Sequence, residues 1–133
     1  MLSQCYCIDL RTAARKASAI YDEALEPYGI NIAQYSLLSK IGRAGHLSLT
    51  ELARLCELDR STIGRNAKVL ERMQLVQPAP VKDRREAVLQ LTEAGKRRLI
   101  ECRVAWAQAQ ARIEGLLGGT DGAAKLHELI SLF

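Results

Sequence analysis

Long apolar runs are missing from this 133-residue chain. None approaches the roughly 18 residues that a membrane span needs, so no transmembrane helix is expected. The opening residues MLSQCYCIDLR lack a basic leader followed by an apolar stretch, so a secretory signal is not expected and the expected location is cytoplasmic. In a reducing compartment four cysteines do not make a disulfide framework; burial, metal binding or redox work remain for them. Prolines number three and there is no low-complexity tract or internal repeat, which leaves a globular chain of one domain's length. Aromatic residues are scarce, one Trp, one Phe and four Tyr, and show no aromatic-lined ligand pocket. There is no phosphate loop, no supported pair of carboxylates and no Ser/His/Asp set, and His46 and His127 stand alone. An enzyme is therefore not expected, and no cofactor is implied.

What the chain does have is concentrated positive charge. The net charge is +4 and the pI about 9.0, a mild pointer to a polyanion. Arg60, Arg65, Lys68, Arg72, Lys82, Arg84 and Arg85 crowd the middle of the chain, whereas residues 17–35 carry only the acids Asp22, Glu23 and Glu26.

Hydrophobic spacing shows what this charge is mounted on. Residues 8–26 read as an amphipathic helix through Ile8, Leu10, Ala13, Ala17, Ile20, Tyr21 and Leu25, ended by Pro27 and Gly29. Asn31-Ile32-Ala33-Gln34 is a capping-box pattern, starting a helix that carries Leu37, Leu38 and Ile41 and stops at 42–45. Ser48-Leu49-Thr50-Glu51 is a second capping box, opening a short helix through Cys56. Asp59 can cap a helix over 60–74 with Ile63, Ala67, Leu70 and Met73 inward. Two short helices joined by a tight turn, the second basic on its outer face, read as a helix-turn-helix. Residues 75–80, with two prolines, are expected to be extended, 81–86 to form a charged turn, and 87–91 to return as a strand. Thr92 then caps a long helix over 93–117, Gly118-Gly119 breaks it, and Thr120 caps a last one.

The expectation is a mainly α fold, a winged helix-turn-helix with N- and C-terminal helices forming a dimerisation layer. It is one domain over 1–133, with dimerisation helices about 8–27 and 93–133 and the winged helix-turn-helix about 31–91. The flanking helices carry more apolar face than a small winged helix can cover, which points to a homodimer.

Several motifs are similar to those of the MarR family of bacterial regulators: "S-x-T-E-L-A" at 48–53, "D-R-S-T" at 59–62, "LERMQLV" at 70–76, "KDRRE" at 82–86 and "LTEAGK" at 91–96. The resemblance implies a homodimeric repressor that leaves a pseudo-palindromic, double-stranded DNA operator when a small ligand or an oxidant changes its shape. A family-typical ligand would be a small aromatic or phenolic anion. Independently, the amino end of a recognition helix meets base edges in the major groove, and here it offers Arg60, Ser61, Thr62, Arg65 and Asn66. Arg65 can grip guanine and Asn66 adenine; Ser61 and Thr62 either touch DNA or solvate the helix start. Lys68 and Arg72 suit phosphate, and Lys82, Arg84 and Arg85 belong to the wing, whose arginine enters the minor groove in the family. Asp83 resembles the family's wing aspartate, which braces an arginine. A winged helix used only to bind protein is the alternative, and it would not require the basic wing.

Cys56 and Cys102 read as packing residues. Cys5 and Cys7 head the first helix, where amide dipoles favour a thiolate. The OhrR-type branch of the family keeps a peroxide-reactive cysteine there, and its pattern falls on Cys7, with a tyrosine fourteen residues on at Tyr21. A further tyrosine of the branch matches Tyr35, while another falls on Ile32 and is a departure. Three readings of Cys5 and Cys7 stay open: oxidation to a sulfenate and then a disulfide, two ligands of a metal, or packing at the dimer interface.

Overall fold

The start of each helix in the central region is set by a side chain that accepts from a backbone amide of the first turn. The computed structural model describes residues 4–82 and 85–133, and its described residues group into two compact units.

The first unit is Ile30–Cys102. Helix α2 (Ile32–Ala44) begins at the anticipated capping box: Asn31 Oδ1 accepts from Gln34 N at 2.9 Å and Gln34 Oε1 from Asn31 N at 3.0 Å. Helix α3 (Leu49–Cys56) begins at the second box, in which Ser48 Oγ accepts from Glu51 N at 3.0 Å and Glu51 Oε1 from Ser48 N at 3.2 Å. Its end passes through Glu57 in the left-handed region at φ 53, so the turn of the helix-turn-helix is made without glycine. Helix α4 (Arg60–Arg72) is capped by Asp59, and α5 (Glu93–Glu101) by Thr92, whose Oγ1 accepts from Gly95 N at 3.0 Å.

Three strands complete this unit: β1 (His46–Ser48), β2 (Val76–Pro78) and β3 (Val88–Leu91). Both pairings are antiparallel and β3 is central, with Leu47 opposite Leu89 and Val76 opposite Leu91. Those four side chains are buried. Pro78, which has no N–H to give a ladder, lies on the edge strand β2. The strand β1 is absent from the sequence-based expectation, because three residues are too few to show an alternating pattern. Leu38, Ile41, Leu52, Ile63, Leu70, Leu75 and Leu89 form the fully buried core. Each such side chain stabilises the fold by about 1.5–3 kcal/mol relative to exposure.

Helix α5 docks on α2 and β3. Its amino end is held against the α4–β2 turn, where the Thr92 hydroxyl donates to Gln74 O at 2.7 Å and Thr92 N to Leu75 O at 3.1 Å. Gly95 is buried there, and a Cβ on it would lie 2.1 Å from Leu75 O. This explains the glycine of the "LTEAGK" stretch as a close approach of two backbones.

The second unit gathers the segment ending at Gly29 with Arg103–Phe133. Helix α1 (Tyr6–Leu25) is followed by a single 3-10 turn, Glu26–Tyr28, closed by Gly29 at φ 71. It packs on α6 (Arg103–Leu116), and α6 packs on α7 (Thr120–Ser131). Two expectations are corrected here. The single helix over 93–117 is two, interrupted at Cys102, whose backbone φ of −89 and ψ of −2 departs from the helical values. Thr120 is the first residue of its helix, and the cap position belongs to Gly119 at φ 89, with no side-chain cap. Among the described residues no helix is long and apolar enough to cross a membrane.

Candidate nucleic-acid interface

Helix α4 buries Ile63, Ala67 and Leu70 and turns a basic stripe outward. Ser61, Arg65, Lys68 and Arg72 follow one another at intervals of four, three and four residues, so they share one exposed face running about 16 Å along the helix. Thr62 and Asn66 flank it, half-buried, and Arg60 stands exposed at the helix start. The stripe has no acidic member, although Glu71 is exposed beside Arg72.

The amino end of α4 is organised by Asp59. Its carboxylate accepts from Thr62 N at 3.0 Å, from Thr62 Oγ1 at 2.7 Å and from the Ser61 hydroxyl. The Ser61 and Thr62 hydroxyls and the Thr62 amide hold the Asp59 carboxyl well below the usual carboxylate range. Both hydroxyl hydrogens thus point at Asp59, and the two side chains present lone pairs and the Thr62 methyl to anything outside. Thr62 Oγ1 accepts in turn from Arg65 Nη2 at 3.2 Å, which orients the guanidinium. Sequence reasoning named Ser61 and Thr62 for DNA or for solvation of the helix start; the network through Asp59 to Arg65 is visible only in three dimensions.

At the wing, Ala79 N donates to Val88 O at 2.8 Å and continues the β2–β3 pairing toward the loop. Lys82 and Arg85 are exposed. Arg84 and Asp83 lie outside the described residues. Glu86, next to Arg85, reaches back to the helix-turn-helix: Oε1 accepts from Thr50 N at 3.0 Å and lies 3.9 Å from Arg60 Nε. Hydrogen bonds from the Thr50 hydroxyl and amide hold the Glu86 carboxyl below the usual carboxylate range, with Arg60 adding to the effect, so it is ionised at neutral pH. No local pattern signals this contact, because its partners are 36 and 26 residues away in the chain.

The cysteines divide as their places suggest. Cys102 is fully buried and its Sγ–H points to Leu99 O at 3.6 Å. Cys56 is half-buried; burial pushes its thiol up, against a lowering by the Lys40 ammonium. Cys5 occupies the cap position of α1 and Cys7 its first turn, both exposed and not joined by a disulfide. Tyr21 is on the same helix, and fourteen residues of helix separate it from Cys7 by about 21 Å. Within one chain the two therefore cannot touch; the Tyr21 hydroxyl instead donates to Gln110 Oε1 on α6, and burial raises its phenol. Among the described residues no group of three or more His, Cys, Asp or Glu side chains is placed to hold a metal ion.

Comparison with known proteins agrees with this architecture. A model of the MarR family matches residues 28–86, from the 3-10 turn after the first helix to the wing residues just ahead of β3. The uncharacterized HTH-type transcriptional regulator YhbI of Bacillus subtilis (strain 168) is 32% identical over 103 residues. The match takes in 76% of this chain and 66% of YhbI, just under two thirds of that protein's length. The M. tuberculosis transcriptional regulator MosR in complex with DNA superposes with a TM-score of 0.83 at 29% identity, covering 96% of this chain and 93% of that one. A mutant MarR from E. coli complexed with operator DNA gives a TM-score of 0.81, covering 92% and 88%; at 23% identity that likeness speaks for the fold alone. The winged helix-turn-helix of this chain is thus similar to that of the MarR family of transcriptional regulators, and the motifs fall on its working elements.

Proposed function

We propose that this chain is a cytoplasmic repressor that binds a pseudo-palindromic DNA operator as a homodimer and lets go when an N-terminal cysteine is oxidised or a small ligand binds. The observation that carries DNA binding is the exposed stripe Arg65, Lys68 and Arg72 on α4, opposite that helix's buried face. In the major groove Arg65 and Asn66 read base edges, Lys68 and Arg72 take phosphates, and Arg84 and Arg85 serve the wing. The DNA-bound MosR and MarR structures support the same use of this fold. Dimerisation is supported by apolar side chains left open on the terminal helices, among them Leu10, Leu116, Leu126, Leu129 and Ile130. A single 1–133 domain, winged helix in the middle and dimer helices at both ends, is the corresponding reading. Oxidative release is supported by the exposure of Cys5 and Cys7 at the head of α1. A Tyr21 that meets Cys7 would have to come from the partner subunit of a dimer.

The test is titration of the protein with a duplex that it selects from a randomised pool, at several salt concentrations. Binding should weaken steeply with salt, and Arg65→Ala should cost about 1–3 kcal/mol with loss of preference at one base position. Arg84→Ala with Arg85→Ala should weaken binding while leaving the fold intact. Salt-independent binding, or no selected sequence, would favour a module that binds protein only.

A further inference from the structure

We propose that Glu86 is a positioning residue for DNA binding, tying the base of the wing to the amino end of α3 and to Arg60 so that Arg85 and the recognition helix meet the duplex at a fixed spacing. This rests on the DNA-binding reading above. The first amides of a helix have no partner within it. In α3, Leu49 N donates to Ala87 O at 3.1 Å, Thr50 N to Glu86 Oε1 at 3.0 Å, and Glu51 N to Ser48 Oγ at 3.0 Å. Two of the three acceptors therefore come from the wing, from adjacent residues just ahead of the returning strand. The Ala87 carbonyl alone fixes one point; the Glu86 carboxylate adds a second, and two points fix a direction. That direction is the one in which the chain leaves through Arg85. The same carboxylate faces Arg60, the first residue of α4, so one side chain touches the helix before the turn and the helix after it. A negative charge at a helix amino end is also favoured by the helix dipole. Although acidic, and therefore repelled by DNA, Glu86 acts here by placing cations that are attracted.

The experiment uses the full chain and the duplex that the wild-type protein selects. Glu86→Ala should bind that duplex about tenfold more weakly, the loss of one hydrogen bond to a charged group, with helix content unchanged, a modest fall in melting temperature and a fully folded protein under the assay conditions. Glu86→Gln keeps a carbonyl oxygen for Thr50 N–H and should restore binding to within about threefold. Hydrogen exchange at the Thr50 amide should quicken in the Ala variant and not in the Gln variant. Wild-type affinity in Glu86→Ala, or a Gln variant as weak as the Ala variant, overturns the positioning role. Wild-type protein that selects no duplex ends the DNA-binding reading and the positioning role with it; unchanged Thr50 exchange in Glu86→Ala overturns the tether itself.

Discussion

Adding one methyl group at Gly95 sets two opposite effects against each other. In a helix interior Ala is favoured over Gly by about 1 kcal/mol, so propensity alone predicts that Gly95→Ala stabilises α5. The packing predicts the reverse. The new Cβ would stand 2.1 Å from Leu75 O and 3.1 Å from the Leu75 carbonyl carbon, and both are backbone atoms that cannot swing aside. Restoring an ordinary contact requires α5 to retreat by roughly 1 Å, an overpacking cost of about 1–3 kcal/mol. The retreat also stretches the bonds from Thr92 N to Leu75 O and from the Thr92 hydroxyl to Gln74 O, each contributing about 1 kcal/mol. After the propensity gain is subtracted, a net loss of about 2–4 kcal/mol remains, or roughly 1–2 M in the urea midpoint. Gly64→Ala is the control: that position is inside α4 with nothing within 4 Å of a Cβ, so the substitution should stabilise slightly. Urea unfolding followed by circular dichroism reads both. Gly95→Ala as stable as wild type would refute the close-approach argument. Because α5 docks on β3, the destabilised variant should also bind DNA less well when the wing strands loosen.

Other outcomes follow from the same structure. Asp59 and Glu86 both have carboxyls lowered in the folded state, so their stabilising contribution is full above the ordinary carboxylate range near pH 4 and fades as pH falls through the folded values. Asp59→Asn should therefore lose less stability than wild type between about pH 5 and pH 2, read as the shift in urea midpoint across that interval. Cys7→Ser should bind the selected duplex normally and no longer release it on treatment with an organic hydroperoxide; release as in wild type would end the sensing role of Cys7. Replacing Leu129 and Ile130, both exposed on α7, with Ser should shift the sedimentation equilibrium from dimer toward monomer and weaken operator binding in step.

The residues that announce local structure did so because their chemistry is local. Asn31 with Gln34, and Ser48 with Glu51, satisfy amides within one turn, so their spacing in sequence is their spacing in space. The basic stripe of α4 is legible for the same reason, since helical periodicity alone gathers Arg65, Lys68 and Arg72 on one face. Where a short segment borrowed its order from distant partners, the pattern was silent: His46–Ser48 becomes a strand only because Val88–Gln90 is there to pair with it. The break at Cys102 likewise leaves no Gly or Pro as a marker, and the interruption of the long helix shows only in the backbone. Thr120 has the chemistry of a cap, yet Gly119, at positive φ, takes that position without needing a side chain.

The sequence by itself determined the family motifs, the helix starts and the basic face, all of which depend on neighbours a few residues apart. Only the tertiary structure decided what those residues do to one another. It paired the Tyr21 hydroxyl with Gln110 on another helix, and set Thr92 against the backbone of Gln74 and Leu75. It also brought Glu86 across 36 residues of chain to the amide of Thr50. Hydrogen bonds and charge pairs act over a few ångströms, and which residues come that close is set by packing of elements, which no run of neighbouring residues records.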